Sequence, residues 1–341
     1  MFNINNEIFI RQELNGVTVY DSNINKYIFY KNVVFNNYFD MFNILTKDNL
    51  HEFLKKYEIS NCINFKYPFR INWLISDYCN LNCIYCFANN KFNIPKDNKI
   101  NYDEIVNTLL NYRPLSVGLT GGEPTLNLKL SKIIDSLAGN CSIIIDTNGT
   151  TNLTNTLLNS IIKSNSIVRI TIDSIDDSIL SLVRPFCINS FKKISNNIQK
   201  LLDNDVRVII HTVVTQKNLS EIHKIYDYIV DKKIVKWQLY PVSYTEKCKE
   251  IYDSIKVSNE ELDKLQKILD KKNNGKIDVK VYKNSSDFSS RAVLMLNKNG
   301  KYFVDTIYNG IEYCGKNSYK PTLSEIKNCL NKQNHIDDYL S

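Results

Sequence analysis

The sequence predicts an α/β protein whose centre is a partial (β/α)6 barrel, with a small winged-helix-like unit before it and a short α+β subdomain after it. Three observations predict this. Strand and helix patterns alternate through six units from Phe69 to about Val242, as parallel strands joined by right-handed helical crossovers do. The first sixty or so residues run instead as short strands followed by helices, and beyond Tyr244 the pattern becomes one helix and a few short strands. At 341 residues the chain is long enough for one large domain with smaller companions, divided here into 1–62, 69–244 and 245–341.

In the first unit Glu7 to Arg11 and Val17 to Asp21 read as strands around Asn15-Gly16, a pair suited to a tight hairpin turn. Lys26 to Lys31 reads as a third strand. Two helical patterns follow, YFDMFNILTK and DNLHEFLKKY, with apolar residues three and four apart. The expected barrel strands are RINWLIS, SVGLT, CSIIID, IVRITID, VRVIIHTVV and VKWQLYPV, separated by helical stretches such as YDEIVNTLLNY and SFKKISNNIQKLLD. Six units are too few to close an eight-stranded barrel, so an open side is expected, with chemistry at the C-terminal ends of the strands. After Tyr244 come the helix NEELDKLQKILDKK, capped by Ser258, and short strands in VLMLNKNGKYFVD turning at Asn299-Gly300. This part is expected to close the open side.

Composition narrows the function classes. An apolar fraction of 43% and a charged fraction of 23% are those of a folded globular protein. No window approaches the roughly 18 apolar residues of a spanning helix, and the N-terminus lacks signal-peptide texture. The cytoplasm is the expected compartment. Nine cysteines, an odd number, point to reduced thiols or metal ligands rather than a disulfide framework. The net charge of +7 comes from scattered lysines with no stripe interleaved with aromatics, which argues against nucleic acid.

The chemistry is concentrated in four strand-end motifs. Cys79, Cys83 and Cys86 fall within eight residues directly after the first barrel strand. Soft thiolates suit iron–sulfur clusters or zinc, and three ligands rather than four leave one position open. After the second strand comes Thr120-Gly121-Gly122-Glu123-Pro124, where glycines permit close backbone approach and the carboxylate can accept from an ammonium group. The third strand ends in Asp146-Thr147-Asn148-Gly149. The fourth ends in Thr171-Ile172-Asp173-Ser174, with Arg184 following in the next loop. His211, on an apolar fifth strand, reads as a satisfied histidine rather than a catalytic base.

The spacing Cys79-x3-Cys83-x2-Cys86, with Tyr85 before the last cysteine, resembles the radical S-adenosylmethionine (SAM) superfamily, and the later motifs fit it in order. The resemblance covers roughly Phe69 to Val242. It implies a TIM-like partial barrel, a [4Fe-4S] cluster on the three cysteines, and SAM chelated to the fourth iron. It further implies reductive cleavage of SAM to a 5′-deoxyadenosyl radical that abstracts hydrogen, with flavodoxin or ferredoxin as electron donor. By the same resemblance Gly121, Gly122 and Glu123 meet the SAM amino group, Asn148 belongs to the TNG loop, Thr171 and Arg184 hold the carboxylate, and Asp173 lies near the ribose. Many peptide-modifying relatives carry a cysteine-rich SPASM or twitch extension. This chain offers only Cys248, Cys314 and Cys329 there, so auxiliary clusters are not expected. Cys314 reads as a structural thiol, the alternative being a hydrogen donor to a substrate radical.

The hairpin from Glu13 to Asp21 with its trailing helices resembles the PqqD-like recognition element of ribosomal-peptide maturases. That implies a precursor peptide whose leader adds to the edge of the third strand, and modification of the core peptide by crosslinking, epimerisation or a related step. An alternative rests on Val235 to Val242 and the segment after it, which look like the arrangement in viperin-like nucleotide dehydratases. A third reading is a non-catalytic peptide-binding protein with a degenerate barrel, against which stand the intact Cys79, Cys83, Cys86 and Glu123.

Overall fold

In the computed structural model the described residues are 2–13, 16–34, 47–59, 68–87, 100–185, 190–283, 294–306 and 310–331. The helical pattern YFDMFNILTK lies almost wholly outside them, as does Asn15 of the expected turn.

The N-terminal unit holds four strands, β1 (Phe2–Ile4), β2 (Ile8–Gln12), β3 (Gly16–Asp21) and β4 (Lys26–Lys31), in an antiparallel meander, with helix α1 at Lys47–Leu54. The strand at Phe2–Ile4 was not expected: three residues are too few to show an alternation, and it exists because its register pairs Phe2 with Ile10 and Ile4 with Ile8. Alternation sorts the two faces. Ile8, Ile10, Val17, Val19 and Tyr30 pack with Leu50 and Leu54 of α1. Phe9, Tyr20, Tyr27 and Phe29 point the other way and join the main core.

That second face seals the lower end of the barrel. Tyr27 hydrogen-bonds Ser116, at the start of a barrel strand. Arg11 donates to the carbonyls of Pro68 and Arg113 at 2.7 and 2.9 Å, and Arg207 donates to Ser22. All these barrel residues lie at or before the N-terminal ends of strands, opposite the end that carries the motifs. Of the two sheet edges, β4 is partly covered: Tyr30 bridges Ile59, and Lys31 donates its amide to Glu58 at 2.9 Å.

All six expected barrel strands are present: β5 (Arg70–Ser76), β6 (Ser116–Gly121), β7 (Ser142–Thr147), β8 (Ile167–Thr171), β9 (Arg207–Val214) and β10 (Ile234–Pro241). They pair in parallel and in chain order. The covering helices are α2 (Tyr102–Asn111), α3 (Leu130–Leu137), α4 (Asn155–Lys163), α5 (Asp177–Val183), α6 (Ser190–Leu202) and α7 (Ile222–Ile229). Each buries an apolar stripe, as Ile133, Ile134 and Leu137 of α3 show, and a buried side chain of this size contributes about 1.5–3 kcal/mol.

Residues 245–341, set apart in the sequence, feed both edges of the same sheet. After α8 (Tyr252–Ile255) and α9 (Asn259–Asn273), β11 (Asp278–Val281) adds in parallel to β10. At the other edge β12 (Leu294–Leu296) pairs in parallel with β5, and β13 (Tyr302–Thr306) and β14 (Gly310–Tyr313) continue antiparallel beyond it, followed by α10 (Leu323–Asn331). Ser258 caps α9 as expected, in a capping box with Glu261. No helix among the described residues is long and apolar enough to cross a membrane.

Candidate functional site

The cysteine loop leaves β5 and is held from two sides. Gly122 donates its amide to Ser76 O at 2.7 Å and Glu123 to Tyr78 O at 2.8 Å. A Cβ on Gly121 would fall 2.3 Å from Ser76 O and one on Gly122 2.2 Å from Tyr78 O, with Gly121 at a φ of +124°. The two glycines therefore serve close approach to the cysteine loop, where the sequence suggested approach to a ligand. On the far side Ile84 donates its amide to Val183 O at 3.0 Å, pinning the loop to the end of α5.

Glu123 is fully buried and brackets two loops. Its Oε1 accepts from Thr125 N at 3.1 Å, Thr125 Oγ1 at 2.5 Å and Thr147 Oγ1 at 2.7 Å, and Oε2 accepts from Asn148 N at 2.7 Å. Burial raises its pKa against these hydrogen bonds. Asn148 in turn reaches the cysteine loop: its Nδ2 donates to Asn80 Oδ1 at 2.9 Å and lies 3.8 Å from Cys79 Sγ. Cys79 Sγ also accepts from Leu81 N at 3.4 Å.

The fourth motif assembles around Cys83. Arg184 Nε donates to Asp173 Oδ2 at 2.7 Å, with both side chains fully buried. Tyr85 donates to the same oxygen. Asp173 Oδ1 accepts from Val213 N at 2.8 Å, and Asn218 Nδ2 donates to the Asp173 carbonyl at 2.8 Å. Both carboxylate oxygens are thus taken by protein donors. This side chain orients Arg184 and Tyr85. Burial opposes the charge on Arg184, but Asp173 and its neighbours outweigh it and hold the guanidinium charged. Thr171 ends β8 opposite His211 and is half-buried.

Burial pushes the Cys79 thiol up and that of Cys83 up to about 12, the latter against the pull of Arg184. Among the described residues no three His, Cys, Asp or Glu side chains close around a single ion. A cubane offers each thiolate a separate iron, so its ligands stand around a void rather than meeting at a point. The donors fit such a cluster with SAM. Three free thiols share one loop, amide groups already face Cys79 Sγ, and Nη1 and Nη2 of Arg184 are buried without a partner among the described residues. A buried fork of donors calls for an anion.

Other expected residues lie elsewhere. Cys314 is fully buried and packs with Cys329 and Ile326 of α10 in the core. It follows β14, three strands out from β5, and burial and Cys329 raise its pKa. Such a thiol is interior packing, away from the lumen. Cys248 is also buried, its Sγ accepting from Thr245 N at 3.2 Å. His211 Nε2 lies 2.9 Å from Gln238 Oε1, and Gln238 Nε2 donates to Tyr282 at 2.9 Å. Burial, then Arg169, lowers the His211 pKa to about 3, so the ring is neutral. The sequence reading missed the Asp146–Arg169 pair, Asn218, Gln238 and Tyr282. The available signal was the polar residues alternating through otherwise apolar strands.

An open parallel barrel with a three-cysteine loop at the C-terminal end of its first strand defines the class, and residues 73–229 match the model described as the Radical SAM superfamily. Residues 73–229 thus carry a radical SAM domain, and the cofactors of that superfamily are a [4Fe-4S] cluster and SAM. It is 34% identical over 165 residues to an uncharacterized protein of Methanocaldococcus jannaschii, covering 46% of this chain and 56% of that one. It is 32% identical over 186 residues to an S-adenosylmethionine-dependent nucleotide dehydratase of Flammeovirga pacifica, covering 50% and 62%. The matches thus span under two thirds of these relatives. In fold it is similar to Streptococcus suis SuiB bound to S-adenosylmethionine, with a TM-score of 0.67 at 16% identity over 88% of this chain and 82% of that one.

Proposed function

We propose that this protein reductively cleaves SAM and directs the resulting hydrogen abstraction at a ribosomally made peptide. The carrying observation is the fully buried Arg184 beside Cys83, aligned by Asp173 and Tyr85, with two nitrogens that meet no partner among the described residues and suit a carboxylate. When bound, the cluster and SAM supply one-electron cleavage and a hydrogen-abstracting carbon radical. The chain's part is to hold the three thiols, orient the Arg184 fork, and brace the cysteine loop through Glu123 and Asn148. A flavodoxin or ferredoxin would supply the electron.

Support for a peptide comes from SuiB, which has been solved bound to precursor peptide SuiA and whose fold this chain shares over 89% of its length. The N-terminal meander is the proposed recognition element. Along its β4 edge Tyr30 and Lys31 are already engaged, by Ile59 and Glu58. A nucleotide substrate is the second reading, favoured by the identity with the nucleotide dehydratase.

The test is anaerobic reconstitution with iron and sulfide, then dithionite and SAM, reading iron per chain and 5′-deoxyadenosine. About four irons with deoxyadenosine formed is the expected result, and an iron-free protein would sink the reading. Deoxyadenosine formation stimulated by a short peptide encoded beside the gene supports the peptide substrate. Stimulation by nucleoside triphosphates instead would replace it.

A further inference from the structure

The barrel lumen carries charge that the cysteine-loop site leaves unused. Arg169 grips Asp146 bidentately, Nε to Oδ1 at 2.5 Å and Nη2 to Oδ2 at 2.6 Å. Arg70 lies in the same cluster. Its Nε donates to Asn72 Oδ1 at 2.8 Å, while its Nη2 is buried with no hydrogen-bond partner among the described residues. Gly118 makes room for it: a Cβ there would fall 2.9 Å from that Nη2 and 2.3 Å from Asn72 Oδ1.

Both oxygens of Asp146 are held by Arg169, so the nearby Arg70 feels that carboxylate and the Arg169 charge without a contact of its own to either. The other groups that act on Arg70 are Tyr20 and Tyr27, two phenols whose pKa burial raises. His211 beside them is neutral. A buried cation in excess is costly unless an anion joins it. The cluster is not sealed: Arg169 and Asp146 keep 11% and 25% side-chain exposure.

We propose that Arg70, backed by Arg169, anchors an anionic group of the substrate, a phosphate or a carboxylate, inside the barrel. This deepens the functional reading and rests on it in one respect, that the substrate occupies the lumen. Arg70 belongs to none of the contacts around the cysteine loop, so its role is separable from SAM binding.

Calorimetric titration of the full chain with pyrophosphate and, separately, with glutarate tests the proposal on wild type, Arg70→Gln and Arg70→Lys. Wild type should bind at least one anion, and Arg70→Gln should weaken binding about tenfold or more, the worth of a charge-assisted hydrogen bond. Pyrophosphate alone assigns a phosphoryl group, glutarate alone a carboxylate, and both together a site that reads charge. The proposal is overturned if wild type binds neither, or if Arg70→Gln binds as wild type does. Should Arg70→Gln not fold, Arg70→Lys decides: it keeps the charge and loses the fork, and wild-type affinity in it would equally overturn the proposal. SAM binding by equilibrium dialysis runs alongside and should be unchanged in the variants. A wild type that binds anion but no SAM would undo the functional reading and leave the anion site standing.

Discussion

Arg184 and Asp173 form a fully buried pair in which one guanidinium nitrogen, Nε, meets the carboxylate at 2.7 Å and the other two meet no acceptor among the described residues. The pair has a structural half and an open half. Asp173 is consumed by Arg184, Tyr85 and the Val213 amide, which fixes the direction of the unfilled fork.

Replacing Asp173 by Asn should leave Arg184 charged and uncompensated in the interior. Breaking a buried pair from one side costs about 3–5 kcal/mol. Denaturant unfolding of the variant should show a loss of that order. Wild-type stability would show that water compensates Arg184.

Arg184→Lys keeps the charge but not the fork. SAM affinity should fall about tenfold or more in equilibrium dialysis, since charge-assisted hydrogen bonds contribute roughly 1.5–3 kcal/mol. Unchanged affinity would remove Arg184 from the carboxylate site.

Gly122→Ala sets a methyl group 2.2 Å from the Tyr78 carbonyl, so the cysteine loop has to move. Overpacking of this kind costs about 1–3 kcal/mol, and reconstituted iron content should drop well below that of wild type. Full iron loading would show that the glycine pair does not set the loop.

His211 gives the stability profile its acid side. Burial lowers its pKa from the ordinary 6.5 to about 3 in the folded chain, so the folded state disfavours the charged ring. Its contribution is complete above about pH 6.5 and is lost progressively as pH falls towards 3. Denaturant midpoints measured across that window should decline in wild type, and the decline should be shallower in His211→Gln. Parallel profiles would mean that His211 titrates normally.

Deleting residues 1–60 should destabilise the whole chain. Phe9, Tyr20, Tyr27 and Phe29 belong to the main core, and exposing what they cover costs roughly 1.5–3 kcal/mol for each large side chain. Thermal unfolding should show a truncated protein that melts far below wild type or is recovered insoluble. A native-like melt would mark the sheet as a detachable module. Peptide recognition is therefore better probed by substitutions on the β4 edge than by deletion.

The barrel was legible because its signals are local. Each of the strands from Arg70 to Pro241 carries a run of buried β-formers, and each helix its own apolar stripe. The cysteine loop was legible for the same reason, three ligands in one short stretch. What Gly122, Glu123 and Asp173 touch was not. Gly122 shows no sign in the sequence of the Tyr78 carbonyl packed against it, nor Asp173 of the Val213 amide and Arg184 guanidinium that its oxygens accept from. The partners Tyr78, Val213 and Arg184 lie 44, 40 and 11 positions away in the chain, and no periodicity records such distances.

By itself the sequence determined the six parallel strands, the order of the motifs along them and the three thiols, because strand period, helix period and ligand spacing are properties of neighbouring residues. Only the tertiary structure decided that the N-terminal meander seals the barrel floor, that β11 and β12 extend opposite edges of one sheet, and that Asp146 is taken by Arg169 while Arg70 Nη2 is left without a partner among the described residues. Those outcomes depend on which faces meet and on how buried charges balance, and both are settled only when distant segments pack.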